Sequence, residues 1–386
     1  MSAGRLYAGG MLLRLSNTPR DYAWGSDTLL AGLEGRTPTG APEAEVWFGD
    51  HPADPADVAE DGTLDQVTGG SLPYLLKLLA AGRPLSIQVH PTLEQARAGW
   101  ERESGLAVDD PQRNYRDDNH KPELLVALSE RFESLSGLRP VAETLELLDG
   151  IDDNDGVARL RDRLRGDGDV LRDVIGWLLG GQAQREVDDI ISAVKVAAAR
   201  KEPGERGVTL RAIAGVAETY PGDPGVVVAL LMNHVVLERG EGVFLRAGLL
   251  HAYLSGLGVE IMAASDNVLR GGLTPKRIDV PELLSILDTA PGVVPVLRGK
   301  GDGAVTSYPV PVPDFALDRV ELTGLPVSLE VAGPTMVLAT SGAVTVETPS
   351  GAQLALAVGT VAFADADETG VTLSGVGEAF IARPGA

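Results

Sequence analysis

The residues best suited to chemistry in this sequence are a few potential metal ligands. The chain has five histidines and no cysteine, so any metal site must use nitrogen and oxygen ligands rather than thiolates. In the apolar stretch LSIQVHP, Gln88 and His90 stand two residues apart. Because side chains alternate along a strand, both would point to one face. An isolated strand histidine is more often a core or surface residue, so this pair alone leaves metal binding and packing open.

A second segment, GEGVFLRAGLLHAY, places another histidine after a glycine turn. Gly240, Gly248 and His251 have the spacing of the second cupin motif, G-x5-P-x-G-x2-H, with Arg246 in place of the proline. The glycine turn lets a strand re-enter a barrel and aim its histidine at the interior, where a metal can bind. Many cupins have lost the metal, so the motif alone does not establish one.

A third segment, NHKPELL, offers charge of both signs. Glu123 has the carboxylate that would balance a divalent cation, and Pro122 stiffens the approach to it. Lys121 would place a positive charge beside an oxyanion. The alternative is an ordinary polar loop.

The pattern of the whole chain indicates a β-protein interrupted by helices. Short apolar runs broken by Gly, Pro and Asp predict strands, with one or two short helices, up to about Arg139, and apolar residues three or four apart predict helices over 140–220. The strand pattern returns after PGDPG, and beyond Arg298 it predicts a second sandwich or barrel without histidine. The pattern therefore predicts a mainly β fold with an inserted helical domain, and the cupin motif, with the family resemblance given below, implies that its two β-domains are cupin (jelly-roll) domains. The expected boundaries are 11–139 with 221–298 for a catalytic β-domain, 140–220 for the helical insertion, and 299–386 for the C-terminal β-domain.

The composition limits the partners of the chain. Its formal net charge is −22, from 55 acidic and 33 basic residues, which repels nucleic acid and anionic lipid. No apolar stretch reaches the roughly 18 residues of a membrane helix, and the N-terminal apolar run is too short for a secretory signal. We therefore expect a cytoplasmic protein without nucleic acid or membrane partners. Residues 1–10 are either a disordered extension or part of the fold, and the sequence alone does not decide between the two.

Five stretches carry a resemblance to a known family. In chain order they are YAWGS, AEVWFGDHP, LPYLLKLLAAGRPLSIQVHP, NHKPELLVAL and LLHAYLSGLGVEIMAASDNVLRGGLTPKRID. Together they closely resemble the type I phosphomannose isomerase family from about Ser16 to Leu283, apart from much of the helical block. The resemblance implies an aldose–ketose isomerase with one zinc ion, interconverting D-mannose 6-phosphate and D-fructose 6-phosphate through a cis-enediol. It further implies a monomer whose partner is a small sugar phosphate.

The resemblance also assigns roles to individual residues. The implied zinc ligands are Gln88, His90, Glu123 and His251. The implied catalytic residues are Arg270, Lys121 and Glu260, and the implied substrate contacts are Lys276 and Tyr253. The other histidines match no ligand position and are expected to have packing or supporting roles: His51, His120 and His234.

Several alternatives stay open at this level. Arg270 suits either stabilisation of an enediolate or binding of the phosphate. The proton-transferring base is Glu260, a zinc-bound hydroxide or a neutral lysine. Two other functions compete with the isomerase: a non-catalytic cupin that binds a sugar or phosphate, and a metal-dependent oxygenase. Oxygenase sites usually take several histidines from one H-x-H motif, whereas this chain has Q-x-H.

Overall fold

The computed structural model of the chain describes residues 10–59, 62–301 and 303–385. Residues 1–9, which make up most of the N-terminal segment that the sequence leaves undecided, lie outside the described residues. The helices are α1 (Leu29–Glu34), α2 (Leu64–Thr68), α3 (Leu93–Arg102), α4 (Val141–Leu148), α5 (Asp155–Leu164), α6 (Val170–Leu179), α7 (Gln184–Ala199), α8 (Gly204–Thr219), α9 (Gly225–Leu230) and α10 (Val280–Ile286). The strands before the helical block and just after it are β1 (Leu12–Ser16), β2 (Glu45–Phe48), β3 (Asp57–Val58), β4 (Tyr74–Ala81), β5 (Gln88–Val89), β6 (Glu123–Ala127), β7 (Phe132–Leu138), β8 (Met232–Leu237), β9 (Gly242–Leu245) and β10 (His251–Ala263). The remaining strands are β11 (Leu269–Arg270), β12 (Val296–Leu297), β13 (Val305–Ser307), β14 (Ala316–Thr323), β15 (Val327–Glu330), β16 (Thr335–Glu347), β17 (Gln353–Leu356), β18 (Val361–Ala364) and β19 (Gly370–Arg383).

The strand β10 organises the first antiparallel sheet. Along 256–263 it pairs with β4, and along 258–262 it pairs on its other side with β6. Its first residues pair instead with β5 and β7. The strand β6 pairs in turn with β9, whose last residue, Leu245, lies opposite Glu123. The turn from β9 into β10 therefore brings the start of β10 close to the starts of β5 and β6, although the three segments are far apart in sequence.

The helical block packs against the back of the strand that carries Gln88 and His90. Ile87 and Val89 are fully buried in the same apolar cluster as Leu160 and Ile190 of the helices. Since side chains alternate along a strand, Gln88 and His90 face the other way. The helices therefore hold this strand in place without covering its polar face.

Helices are confirmed throughout the expected block, and the structure has one further helix just after it. The stretch GVVVAL forms α9 and all its residues are buried, although β-branched residues favour strands in isolation. Burial among the other helices overrides that preference here. The 11–139 segment likewise contains three short helices, α1, α2 and α3, rather than one or two.

A second antiparallel sheet is built mainly from the C-terminal strands, and it includes β1 and β3 from the start of the chain. Leu12 pairs with Ala364, and Leu15 pairs with both Val361 and Val58. The mainly β architecture with a helical insertion is thus confirmed. The domain boundaries stay a prediction, and the pairing of β1 cuts across them, because residues from about 12 to 16 complete the sheet of the C-terminal segment.

The two sheets also share an apolar core. Leu76 and Leu124 of the first sheet lie in one buried cluster with Phe363 and Phe380 of the second. The Tyr74 hydroxyl of β4 donates a hydrogen bond to the carbonyl of Ala382 in the last strand, at 3.1 Å. These contacts join the sheets into one packed body. Within the described ranges, no helix combines the length and apolar character needed to cross a bilayer.

Candidate metal centre and active site

Three of the four residues proposed as metal ligands meet at the junction of β5, β6 and β10. His90, Glu123 and His251 each present a ligand atom within 4.8 Å of the others, and all three are buried. The two carboxylate oxygens of Glu123 lie between the imidazoles, one 3.4 Å from His90 Nε2 and the other 3.4 Å from His251 Nε2. The structure therefore brings residues 90, 123 and 251 to one point.

Local backbone geometry aims these side chains. Gly248 has a φ of +77°, a left-handed conformation that favours glycine, and its N–H donates to the His90 carbonyl at 2.8 Å. This turn brings the start of β10 alongside β5, where His251 is the pairing partner of Gln88. Arg246, at the proline position of the motif, instead bonds with Asp288 at 2.5 Å. The glycine turn thus forms without the proline.

The orientation of both imidazoles leaves their Nε2 atoms free for a cation. His90 Nδ1 donates to the Asn267 carbonyl at 2.7 Å, and His251 Nδ1 donates to the Leu249 carbonyl at 2.9 Å. A neutral imidazole that donates through Nδ1 carries a lone pair on Nε2. His90 Nε2 is buried and makes no hydrogen bond with any described residue. Two nitrogen lone pairs facing one carboxylate are a favourable arrangement only if a cation lies between them.

The protonation states also suit a metal. Burial lowers the pKa of His90 to about 4, so the imidazole is neutral at neutral pH. Burial opposes the charge of Glu123, but the positive charge of Lys121 outweighs it and holds the pKa of this carboxyl well below its usual range. Lys121 Nζ lies 3.1 Å from Glu123 Oε1. Neutral imidazole and ionised carboxylate are the forms in which these groups bind a metal.

The residues present fit zinc with nitrogen and oxygen ligands. Two imidazoles and a carboxylate are common zinc donors, and catalytic zinc keeps a position open. Gln88, the fourth proposed ligand, is partly buried on the wall of the adjacent cavity, with its Nε2 donating to Ser86 Oγ at 3.3 Å. As a ligand Gln88 stays a prediction, as does the complete set of four.

The other three histidines each pair with a carboxylate elsewhere. His51 lies 3.1 Å from Asp266, and His234 lies 2.9 Å from Glu133. His120, one residue before Lys121, turns towards Asp314 of the C-terminal segment, 3.0 Å away. Their partners are consistent with the supporting roles expected from the sequence.

A cavity of about 740 Å³ opens beside the histidine–carboxylate cluster. Its lining joins Gln88 and Lys121 to residues of the SDNVLRGGLTPK segment, and the end of the helical block contributes Thr219 and Tyr220. The Tyr220 hydroxyl donates to the Pro84 carbonyl at 2.8 Å. The cavity is therefore walled by both the first sheet and the helices.

The cavity wall carries a group of cations that have no anionic partner. Within the described ranges, Arg270, Lys276, Arg116 and Arg83 line the cavity, and none forms an ion pair. Burial and the charge of Arg116 lower the pKa of Arg270, and the charge of Arg270 with burial lowers the pKa of Lys276. The protein as a whole has a net charge of −22, so a local group of cations that repel one another is unusual in it. Such a group indicates a binding site for an anion.

Lys77 is the functional candidate that sequence reasoning missed. Its Nζ, on the cavity wall, lies 3.3 Å from Glu260 and 3.6 Å from Glu45. Burial opposes its charge, but Glu45 and Glu260 outweigh burial and raise the pKa of Lys77. A signal was present, since Lys77 is the one charged residue of the strand YLLKLLAA, which is buried at every position. A lone charge in such a strand needs a partner or a function.

Glu260 and Tyr253 lie behind Lys77, away from the cavity wall. The Tyr253 hydroxyl donates to Glu260 Oε1 at 2.7 Å, and the Tyr253 ring packs edge-on against Phe132. Burial raises the pKa of Glu260, with help from the charges of Glu123 and Glu45 and against that of Lys77. The Tyr253 hydroxyl is thus already bonded to Glu260, and the substrate contact expected of Tyr253 stays a prediction.

Known proteins share both the sequence and the fold of this chain. Residues 12–141 match the family model for phosphomannose isomerase type I, catalytic domain. The mannose-6-phosphate isomerase of Escherichia coli (strain K12) is 35% identical over 389 residues, covering 94% of this chain and 97% of that protein. The mannose-6-phosphate isomerase of Bos taurus is 31% identical, covering 92% and 93% of the two chains. A holo, zinc-bound crystal structure of mannose 6-phosphate isomerase superposes with a TM-score of 0.87 at 32% identity, covering 97% of this chain and 100% of that one. The resemblance seen in the motifs is confirmed, and the chain belongs to the type I phosphomannose isomerase family.

Proposed function

We propose that this chain is a zinc-dependent mannose-6-phosphate isomerase, which interconverts D-mannose 6-phosphate and D-fructose 6-phosphate. One observation carries the assignment: a buried His90, Glu123 and His251 cluster adjoins a cavity in which Arg270 and Lys276 have no anionic partner among the described residues. A sugar phosphate has the two features that this arrangement would recognise, a dianionic phosphate and oxygens that can approach a metal. Family membership supports the same reaction.

Zinc would be held by Gln88, His90, Glu123 and His251. When bound, it supplies a Lewis-acidic positive charge to substrate oxygens. The two backbone carbonyls that accept from Nδ1 of the histidines keep both imidazoles oriented. Such partners of metal ligands typically matter to affinity as well as geometry.

The phosphate would be bound by Arg270 and Lys276. Both line the cavity without a carboxylate partner in the described ranges, so a dianion would relieve their mutual repulsion. Arginine presents a planar fork of donors suited to phosphate, whereas lysine offers a compact charge. Arg270 would also stabilise negative charge that develops on the substrate.

Proton transfer would involve Lys77 at the cavity and Glu260 behind it. Isomerisation moves a proton between C1 and C2, and another between their oxygens, through a cis-enediol. Lys77 is held in its charged form and can donate a proton to one substrate oxygen and take one back from the other, and Glu260, whose pKa is raised by burial, can exchange that proton with Lys77 across the 3.3 Å contact. A separate base must take the proton from C2 and return it to C1. In this arrangement Glu260 acts through Lys77, and Lys121 places a second positive charge near the reacting carbons.

Two further expectations belong to this assignment. We propose that the protein is cytoplasmic and monomeric, as anticipated from its sequence. Light scattering coupled to size-exclusion chromatography would measure the oligomeric state directly. A stable dimer at micromolar concentration would contradict the second expectation.

A coupled assay tests the function. Purified protein is assayed for conversion of mannose 6-phosphate to fructose 6-phosphate, first as isolated, then after chelation, then with zinc restored. We expect activity to disappear on chelation and to return with zinc. The non-catalytic binding protein left open by the sequence predicts no turnover at any stage, and an oxygenase predicts dependence on iron and oxygen.

Two histidine variants sharpen that assay. His251→Ala should lose both zinc and activity, because it removes one of the converging ligands. His234→Ala is the matched control, since His234 is also an imidazole paired with a glutamate, Glu133, but lies outside the cluster. Full activity of a metal-free His251→Ala protein would rule out the metal site.

A further inference from the structure

Asn267 is fully buried beside the metal cluster without belonging to it. We propose that Asn267 is a positioning residue of the metal centre, which uses its backbone carbonyl to orient His90 and its side-chain amide to hold the loop that leads to Lys121 and Glu123. This inference rests on the metal centre of the proposed function. It concerns how the segment that carries His90 and the segment that carries Glu123, which are apart in the chain, are held in fixed positions relative to each other.

The backbone of Asn267 sets the orientation of His90. Its carbonyl oxygen accepts the Nδ1 hydrogen of His90 at 2.7 Å, inside a region where both residues are fully buried. This bond places the proton on Nδ1 and leaves Nε2 as the free ligand atom. A shift of this carbonyl would rotate the imidazole or change its tautomer.

The side chain of Asn267 holds the loop before Glu123. Its Oδ1 accepts from the Arg116 N–H at 2.7 Å, and its Nδ2 donates to the carbonyls of Asp117, at 2.9 Å, and Asn119, at 2.8 Å. Among side chains of this size, only an amide offers two donor hydrogens together with an acceptor, as these three backbone groups require. Lys121 and Glu123 follow the loop directly.

A second layer of contacts fixes Asn267 itself. Its backbone N–H donates to Ser265 Oγ at 3.2 Å, and Ser265 Oγ donates to Asp117 Oδ1 at 2.8 Å. Asp117 Oδ1 in turn lies 3.1 Å from Asn267 Nδ2. Because these bonds close a ring between the loop and Asn267, the carbonyl that orients His90 is tied to the same group of atoms that positions the Glu123 segment.

Zinc affinity of the apo-protein tests this role. We expect Asn267→Ala to weaken zinc binding by up to about 10- to 100-fold, the effect of disturbing a partner of a metal ligand, because the carbonyl that orients His90 remains but loses the side-chain bonds that fix its position. The affinity is measured by competition with a chromophoric chelator. The absorption spectrum of the cobalt-substituted protein should change as well, because it reports the geometry of the ligands.

Asn233→Ala is the matched control. The Asn233 amide also bridges two carbonyls, those of Ser136 at 3.0 Å and Gly292 at 2.8 Å, outside the cluster. It should retain wild-type zinc affinity and cobalt spectrum. Equal weakening in both asparagine variants would overturn the inference, as would wild-type affinity in Asn267→Ala.

A milder variant keeps the inference testable if Asn267→Ala does not fold. Ser265→Ala removes the acceptor of the Asn267 N–H and should weaken zinc binding in the same direction by a smaller factor. Unchanged zinc affinity in Ser265→Ala would then overturn the inference. Wild-type protein that binds no zinc would instead refute the metal centre itself, and the role of Asn267 with it.

Discussion

Replacement of Arg270 by alanine separates a catalytic role from a structural one. The Arg270 side chain lines the cavity and has no hydrogen bond or ion pair to any described residue. Burial and the neighbouring charge of Arg116 lower its pKa, so the charged side chain is in an unfavourable environment when no anion is bound. Arg270→Ala therefore leaves no buried group unpaired.

The expected effect falls on turnover and not on stability. Loss of one preorganised donor to developing charge typically costs about 3–4 kcal/mol, or about 100- to 1000-fold in rate. We expect kcat/KM for mannose 6-phosphate to fall by at least that factor, to near zero in the coupled assay. The free energy of unfolding should change by no more than about 0.5 kcal/mol, as for substitutions that break no contact. Zinc content should stay at the wild-type level.

Arg139→Ala is expected to give the opposite result, with lower stability and unchanged turnover. The Arg139 guanidinium is buried and donates to the carbonyls of Leu230, at 3.1 Å, and Met232, at 2.6 Å, outside the cavity wall. Its removal leaves those acceptors without partners, at a cost of about 1–3 kcal/mol of stability, while folded protein should retain wild-type turnover. Both variants are measured by urea unfolding, by metal analysis and by the coupled assay.

Two results would refute this reasoning. Loss of zinc from Arg270→Ala, or destabilisation as large as that of Arg139→Ala, would show that Arg270 is structural. Wild-type kcat/KM in Arg270→Ala would remove the residue from the site altogether.

Three further predictions concern the proton-carrying group, acid stability and the metal. Glu260→Gln should lower kcat with unchanged zinc content, because the amide cannot exchange a proton at neutral pH; wild-type kcat would exclude Glu260 from proton transfer. Glu133→Gln should lower the free energy of unfolding at pH 7, because the His234 bond holds the pKa of Glu133 at about 2, below its ordinary 4.5. That contribution is present above pH 4.5 and is lost as the pH falls towards 2, so urea unfolding of the variant and the wild type should converge in acid, and a gap that widens there would contradict the pairing. Zinc at about 100 times its Kd should stabilise the wild type by about 2.7 kcal/mol and leave His251→Ala unchanged in a thermal-unfolding assay.

The sequence alone was sufficient for the features that depend on local pattern. Alternating side chains in LSIQVHP put Gln88 and His90 on one face, and apolar spacing revealed the helical block. The absence of cysteine limited a metal site to nitrogen and oxygen donors. The motifs also identified the family, because NHKPE and SDNVLRGGLTPK are specific stretches of contiguous residues.

Only the tertiary structure decided the features that depend on long-range pairing. Lys77 became a candidate when the register of β4 with β10 placed it opposite Glu260, and no local pattern reports such a register. The role of Asn267 likewise depends on contacts with residues 90 and 116–119, which lie far away along the chain. The pairing of β1 with the sheet of the C-terminal segment was unpredictable for the same reason. Backbone hydrogen bonds form between strands at any sequence separation, so composition and periodicity predict that a strand forms but not which strand it pairs with.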